Sequence, residues 1–207
     1  MVARNSVKIT EQGDYKSILR DIDHTSRRLF ENSQNILNWI KYQSTLIEVQ
    51  KTNVPLYVLV DEIGELLMDV MESKNNSFIN NIDPDQIIYT DKNILSIIIH
   101  NLVSNATKYN DKATIEVSAE IKNGCNYITI SDNGKGMSSI NLDRIYSIKN
   151  KQKVYSIAEN SGSSGLGFII ITELLAILSG TFNIESNTNG TQITLEIPID
   201  TFNNSYK

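Results

Sequence analysis

Three short blocks, in a fixed order, limit what this chain can become. They are Asn101-Leu-Val-Ser-Asn105-Ala-Thr-Lys108-Tyr109, Asp132-Asn-Gly134-Lys-Gly136-Met137 and Ser163-Ser164-Gly165-Leu166-Gly167. The first continues a helical pattern in which Ile94, Ile97, Ile98, Leu102 and Val103 share one face. The second ends a strand and opens a glycine-rich turn. The third lies at the start of a helix that runs through Leu178 and stops at Gly180. If the blocks act together, the fold must bring a helix, a strand end and a helix start to one place.

The rest of the chain supplies elements for such a fold. Asn53 and Pro55 read as the cap and first turn of a helix with Leu56, Leu59, Val60, Ile63, Leu67 and Val70 on its apolar face. Strands are expected at 77–82 and 87–89, and Asp91 caps the helix of the first block. Residues 114–121 and 127–131 alternate as strands around the hairpin signal Asn123-Gly124. A last hairpin pairs 181–185 with 192–197 around Asn187-Thr-Asn-Gly190. This mixture predicts an α+β fold: a two-layer α/β sandwich, a mostly antiparallel sheet with helices on one face. The Lys-, Ser- and Asn-rich segment 146–164 is too long for an ordinary connection and is read as a lid.

Before this domain, residues 14–49 read as one long helix. Tyr15, Ile22, Leu29 and Ile36 recur every seven residues, and Ile18, Leu37, Ile40 and Ile47 widen the stripe. Lys16, Arg20, Arg27, Glu31 and Lys41 take the opposite face. One apolar stripe on so long a helix needs a partner: docking against its own domain would supply one, but a dimerising hairpin or four-helix bundle is favoured because the remainder already reads as a complete domain. The division expected is a partial dimerisation helix at 1–50, a main domain at 51–200 and a tail at 201–207.

Charge and composition narrow the function. A net charge of -5 and a pI near 5.1 argue against nucleic-acid binding. The single cysteine, Cys125, excludes an internal disulfide and fits a reducing compartment. No apolar run is long enough to span a bilayer, since Ser96, His100 and Asn101 interrupt the best candidate. The expectation is a cytoplasmic segment without membrane contact, whose parent protein can be anchored elsewhere.

Taken together the blocks describe a nucleotide pocket, although each alone also reads as structure: asparagine pairs that arise by chance in an Asn-rich chain, an everyday Asp-Asn-Gly strand end and a capped helix entry. Asn101, Asn105 and Lys108 share a helix face. Asn105 offers a neutral amide oxygen of the kind Mg²⁺ accepts beside phosphate oxygens. Lys108 brings positive charge, and Tyr109 a hydroxyl donor. Asp132 can accept from the exocyclic amine of adenine, Gly134 and Gly136 let backbone approach the ring, and Met137 offers an apolar wall. At a helix start, Ser164, Gly165, Leu166 and Gly167 present free amides to an anionic phosphate. Thr191 follows Gly190 and offers another hydroxyl.

In this order and spacing the blocks resemble the ATP-binding domain of bacterial sensor histidine kinases, within the wider family of DNA gyrase and the large heat-shock chaperone. The resemblance covers roughly residues 53–198. It implies ATP and Mg²⁺ as cofactors, with Asn105 as the magnesium ligand and Asn101 and Lys108 in the catalytic role. Two features depart from the pattern: Ser163 stands where the family has glycine, and the aromatic signature between the glycine blocks is missing around Ile145, Tyr146 and Ile148.

ATP-hydrolysing relatives carry a glutamate at the position of Asn101. An amide cannot take up a proton at neutral pH, so hydrolysis is disfavoured. A neutral imidazole already has a free lone pair, so transfer to histidine suits Asn101 better. Neither histidine of the chain fits the acceptor. His100 points away from the face of Asn101, and His24 is followed by Thr25-Ser26-Arg27-Arg28 without the acid and proline the family places there. The stretch Asn35-Ile-Leu-Asn-Trp39-Ile-Lys-Tyr-Gln43 resembles the end of the second bundle helix, with Trp39 as a packing anchor. The expectation is therefore a kinase piece whose phosphorylated histidine lies upstream of Met1. Its partners would be a second copy through the N-terminal helix and the receiver domain of a response regulator. Two alternatives share the pocket: a degenerate module that binds nucleotide or a partner without transfer, and a serine kinase, against which the long helix argues.

Overall fold

A computed structural model of the chain describes residues 49–150 and 164–199, and places Tyr15, Leu19, Ile22 and Ser26 in helix. The rest of the expected long helix, with His24 and Trp39, lies outside the described residues, as do Ser163, residues 151–162 and the tail. In chain order the elements are β1 (Lys51–Pro55), α1 (Leu56–Ser73), β2 (Ser77–Asn81), β3 (Ile87–Asp91) and α2 (Lys92–Tyr109). Then follow β4 (Thr114–Lys122), β5 (Cys125–Asp132), α3 (Ser139–Lys149), α4 (Ser164–Ile177), β6 (Thr181–Asn187) and β7 (Gly190–Pro198).

Five strands form the main sheet in the order β2-β4-β5-β7-β6, with β2 parallel to β4 and every other pair antiparallel. Period-2 alternation splits it into two faces. Ile115 and Val117, Ile128 and Ile130, Ile193, Leu195 and Ile197, and Phe182 and Ile184 are buried together with the apolar faces of the helices. The other face carries Glu116, Tyr127, Thr129, Thr194 and Glu196, which stay partly in solvent. This is the expected two-layer sandwich with a mostly antiparallel sheet.

Several boundaries differ from the sequence reading. Lys51–Pro55 is a strand, paired antiparallel with β3 in a separate two-stranded sheet, so Asn53 lies in β1 and caps nothing. Pro55 ends that strand and occupies the N-cap position, with α1 starting at Leu56. Val70 is 42% exposed, and Met71 takes the buried place expected for it. The expected lid begins later than residue 146, because Tyr146–Lys149 belong to α3. Helix α4 starts at Ser164, one residue before Gly165, and Ser179, not Gly180, adopts the left-handed conformation at its end (φ 56°).

Helix α2 is fixed at both ends. Asp91 is buried, and its Oδ1 accepts from the amides of Asn93 and Ile94 at 2.9 and 3.1 Å. Its Oδ2 accepts from the amide of Gln50 at 2.9 Å, which ties the chain entering β1 to the same helix start. At the other end, Asn76 Nδ2 donates to the carbonyls of Thr107 and Asn110. Lys74 Nζ donates to the carbonyl of Lys108 at 2.6 Å, a cation at the negative end of the helix.

Candidate functional site

The alternation that builds the core also places the first functional group. Residues 126, 128, 130 and 132 of β5 share the helix-facing side of the sheet, so Asp132 continues the row Ile128–Ile130. Its cross-strand neighbours are Ile115 on β4 and Thr191 on β7, and Thr191 in turn faces Ser186 on β6. A carboxylate at the end of an apolar row loses much of its water. Burial pushes the Asp132 carboxyl above the usual carboxylate range, against hydrogen bonds from the Gly134 amide, the Thr191 amide and the Asn110 side chain that act to lower it.

Asp132 opens onto a cavity of about 500 Å³ bounded by α2, α3, α4 and the ends of β5 and β7. Its apolar wall is made by Leu102, Ala106, Ile130, Met137, Ile145, Ile148, Phe168 and Ile193. Asn105, Tyr109, Asn110, Asp132, Ser138, Asn141 and Thr191 add polar groups, and Lys135 and Arg144 add two cations. An apolar concave surface edged by polar and charged groups suits a flat heteroaromatic ligand with a polar extension. Two cations against one carboxylate also suit a polyanion.

The glycine turn is shaped by close packing. Met137 is held by its amide, which donates to Ser186 Oγ at 2.8 Å, and Ser186 Oγ also meets Thr191 Oγ1 at 2.9 Å. Gly136 has φ +69°, and a side chain there would collide with the carbonyl of Asn187. A Cβ at Gly134 would overlap the amide of Asn110. Gly134 therefore packs on Asn110 and does not line the cavity.

Of the residues singled out in the sequence, Asn105, Tyr109, Asp132, Gly136, Met137 and Thr191 meet on the cavity wall. Asn101 does not: its Nδ2 donates to the carbonyl of Ile97 at 2.8 Å, one turn back in α2. Lys108 is exposed and also off the wall. The third block nonetheless reaches the first. A Cβ on Gly167 would lie 3.8 Å from both Asn101 Oδ1 and Asn105 Nδ2, so the first turn of α4, from Ser164 through Gly165 and Leu166, runs beside these two amides. Sequence reading missed Asn110, Lys135, Asn141, Arg144 and Ser186. Ser138, the N-cap of α3, was the one available signal for that helix.

A magnesium ion fits one part of this wall. The half-buried amide of Asn105 has no hydrogen bond to another described residue, unlike that of Asn101. Among the described residues no cluster of acids, histidines or cysteines could hold a metal alone.

Comparison with known proteins identifies the family and the fold. The family described as histidine kinase-, DNA gyrase B-, and HSP90-like ATPase matches residues 90–201. The autoinducer 2 sensor kinase/phosphatase LuxQ of Vibrio parahaemolyticus is 26% identical over 205 residues, covering 95% of this chain and 23% of that protein. The sensor histidine kinase YclK of Bacillus subtilis is 23% identical over 179 residues, covering 86% and 38%. The chain thus spans about a quarter of the LuxQ length. Among solved structures, the histidine kinase AdeS of Acinetobacter baumannii superposes with a TM-score of 0.67 at 14% identity, over 90% of this chain and 84% of that one. Full-length ShkA in complex with AMPPNP gives 0.69 at 21% identity, over 83% and 36%.

Proposed function

We propose, since the chain belongs to the histidine kinase-, DNA gyrase B-, and HSP90-like ATPase family, that its cavity is the Mg-ATP site of a sensor histidine kinase. The reaction is transfer of the γ-phosphate to a protein imidazole. The observation that carries this reading is Asp132: a half-buried carboxylate, held by the Gly134 amide, on the wall of a cavity of about 500 Å³ with a row of apolar side chains. Such a carboxylate accepts from the exocyclic amine of adenine, and Met137, Ile130 and Ile193 enclose the ring. The triphosphate then runs toward the first turn of α4, where Ser164, Gly165, Leu166 and Gly167 offer unpaired amides. Tyr109 and Thr191 are assigned to the nucleotide's polar edges.

Asn105 is the residue to hold magnesium, which when bound supplies positive charge to the phosphates. Asn101 carries no carboxylate and takes no proton from water, so the site favours an acceptor that needs no general base, such as a neutral imidazole. Catalysis then rests on positioning and charge. The partners that follow are a second copy of the chain through the N-terminal helix and the receiver domain of a response regulator. Calorimetric titration with Mg-ATP and Mg-GTP tests the reading. Saturable heat with ATP and a much weaker response to GTP is expected; no heat, or equal affinity for the two, refutes it.

A further inference from the structure

We propose that Asn110 is the positioning residue for the base-reading carboxylate, locking Asp132 to the end of α2 so that it meets the adenine amine at one angle. This rests on the nucleotide reading above. Asn110 is the first residue beyond α2, in extended conformation, yet only 6% exposed. A buried amide requires partners for its donors and its acceptor, and those of Asn110 join α2 to the glycine turn. Nδ2 donates to the carbonyl of Ala106 at 3.0 Å and Oδ1 accepts from the amide of Lys135 at 3.3 Å, while the preceding amide of that turn, Gly134, donates to Asp132 Oδ1 at 3.0 Å. Gly134 leaves the space this side chain fills. From the opposite side, Asn76 Nδ2 holds the carbonyl of Asn110 at 3.0 Å. One amide thus fastens the glycine turn and the carboxylate to the helix that bears Asn105.

Removing it selects a particular loss. Without Asn110, the glycine turn loses its tie to α2, and with it the support of the Gly134 amide that holds Asp132 Oδ1. The carboxylate's orientation loosens, and the deficit falls first on what it touches, the amine at C6 of the purine. Ile145, Ile148, Phe168 and Ile193 of the apolar wall stand on other elements and keep their places, and only Met137 follows the turn.

The test compares ATP with purine riboside triphosphate, which lacks that amine, on wild type and Asn110→Ala. Wild type is expected to prefer ATP by about tenfold, the worth of one hydrogen bond to a charged acceptor. In Asn110→Ala that preference collapses toward unity, because affinity for ATP falls by a larger factor than affinity for the purine analogue. Equal loss for both ligands, or an undiminished preference, overturns the proposal. A wild-type preference of one overturns the adenine reading as well, so the two failures are distinguishable. Should Asn110→Ala melt too early, Asn110→Ser serves, because the ratio of two affinities is independent of the folded fraction.

Discussion

Replacing Asp132 with asparagine gives the sharpest test of the site. A carboxylate has two equivalent oxygens, and at Asp132 they divide the work. Oδ1 accepts from the Gly134 amide at 3.0 Å, which leaves Oδ2 to face other donors. In Asp132→Asn the Gly134 N–H demands the amide oxygen, and the NH₂ group takes the place of Oδ2. A donor then faces the adenine amine, itself a donor. The loss is one hydrogen bond to a charged acceptor, about 1.5–3 kcal/mol, or roughly a ten- to hundredfold fall in ATP affinity. Inosine triphosphate carries an acceptor at the same ring position and is expected to gain relative to ATP. Titration of both nucleotides into wild type and variant measures this, with magnesium fixed. pH adds an independent readout. The ionised carboxylate accepts from the amine more strongly than the protonated form, whose remaining oxygen is a neutral acceptor, and burial holds the Asp132 carboxyl above the ordinary range. Wild-type ATP affinity therefore begins to fall at a higher pH than a solvent-exposed aspartate would give, and Asp132→Asn is flat there. The linkage sign for stability is opposite: the folded state holds this proton more tightly than the unfolded chain, so the group favours folding at acid pH and that contribution is lost as pH rises. Unchanged ATP affinity in Asp132→Asn, with an unchanged ATP-to-ITP ratio, would refute the placement of the base.

Three further outcomes follow. Asn105→Ala is expected to lower ATP affinity about tenfold with magnesium present and less than about twofold in its absence, since it removes only a metal ligand; equal losses in the two titrations would reject that role. Incubation with γ-labelled ATP leaves His24 and His100 unlabelled, and acid-labile label on either would show that the acceptor was misjudged. Asp91→Ala removes the buried carboxylate that receives the amides of Gln50, Asn93 and Ile94. Unfolding by denaturant should show a loss of about 2 kcal/mol or more, larger than an ordinary cap deletion; a loss below about 0.5 kcal/mol would mean that solvent replaces these bonds.

Local signals were legible and tertiary ones were not. The hairpin at Asn123-Gly124 follows from two residues that tolerate left-handed backbone, and both have it, with φ 50° and 75°. Asp91 was readable as a cap because its partners lie two and three residues away. By contrast β1 exists through pairing with β3, some 36 residues on, and only Val54 of its five side chains is buried. Nothing so non-local shows in a pentapeptide ending in proline. Helix α3 buries only Ile145 and Ile148, too short a stripe to stand out. Val70 and Met71 both continue the apolar spacing from Leu67, and only packing chooses between i+3 and i+4. Asn110 was missed for a similar reason. Asparagine after a helix reads as a solvated cap, and its burial arises from Gly134, which approaches it from the turn after β5.

The walls of the cavity differ in how firmly they are held, and this has a measurable consequence. One side is α2, fixed at its start by Asp91 and at its end by Asn76 and Lys74, with Leu95, Ile98, Ile99 and Leu102 fully in the core. The facing wall, α3, is attached by less. Tyr146 Oη donates to the carbonyl of Ile184 on the edge strand β6 at 3.0 Å, and Lys149 Nζ sits 5.4 Å from the centre of the Phe182 ring. A helix with two buried side chains and one such hydrogen bond opens at a small fraction of the global unfolding free energy. Hydrogen exchange on the nucleotide-free chain should therefore show α2 amides protected close to the global limit and α3 amides exchanging far sooner. Mg-ATP adds contacts to Met137, Ile145 and Ile148 and should slow α3 without changing α2. Tyr146→Phe removes the tether to Ile184 while keeping the ring, so it should speed α3 exchange in the free chain. If α3 is as protected as α2 before any nucleotide is added, its attachment is stronger than these contacts account for. The site would then be rigid on both sides, and ligand entry would have to occur elsewhere.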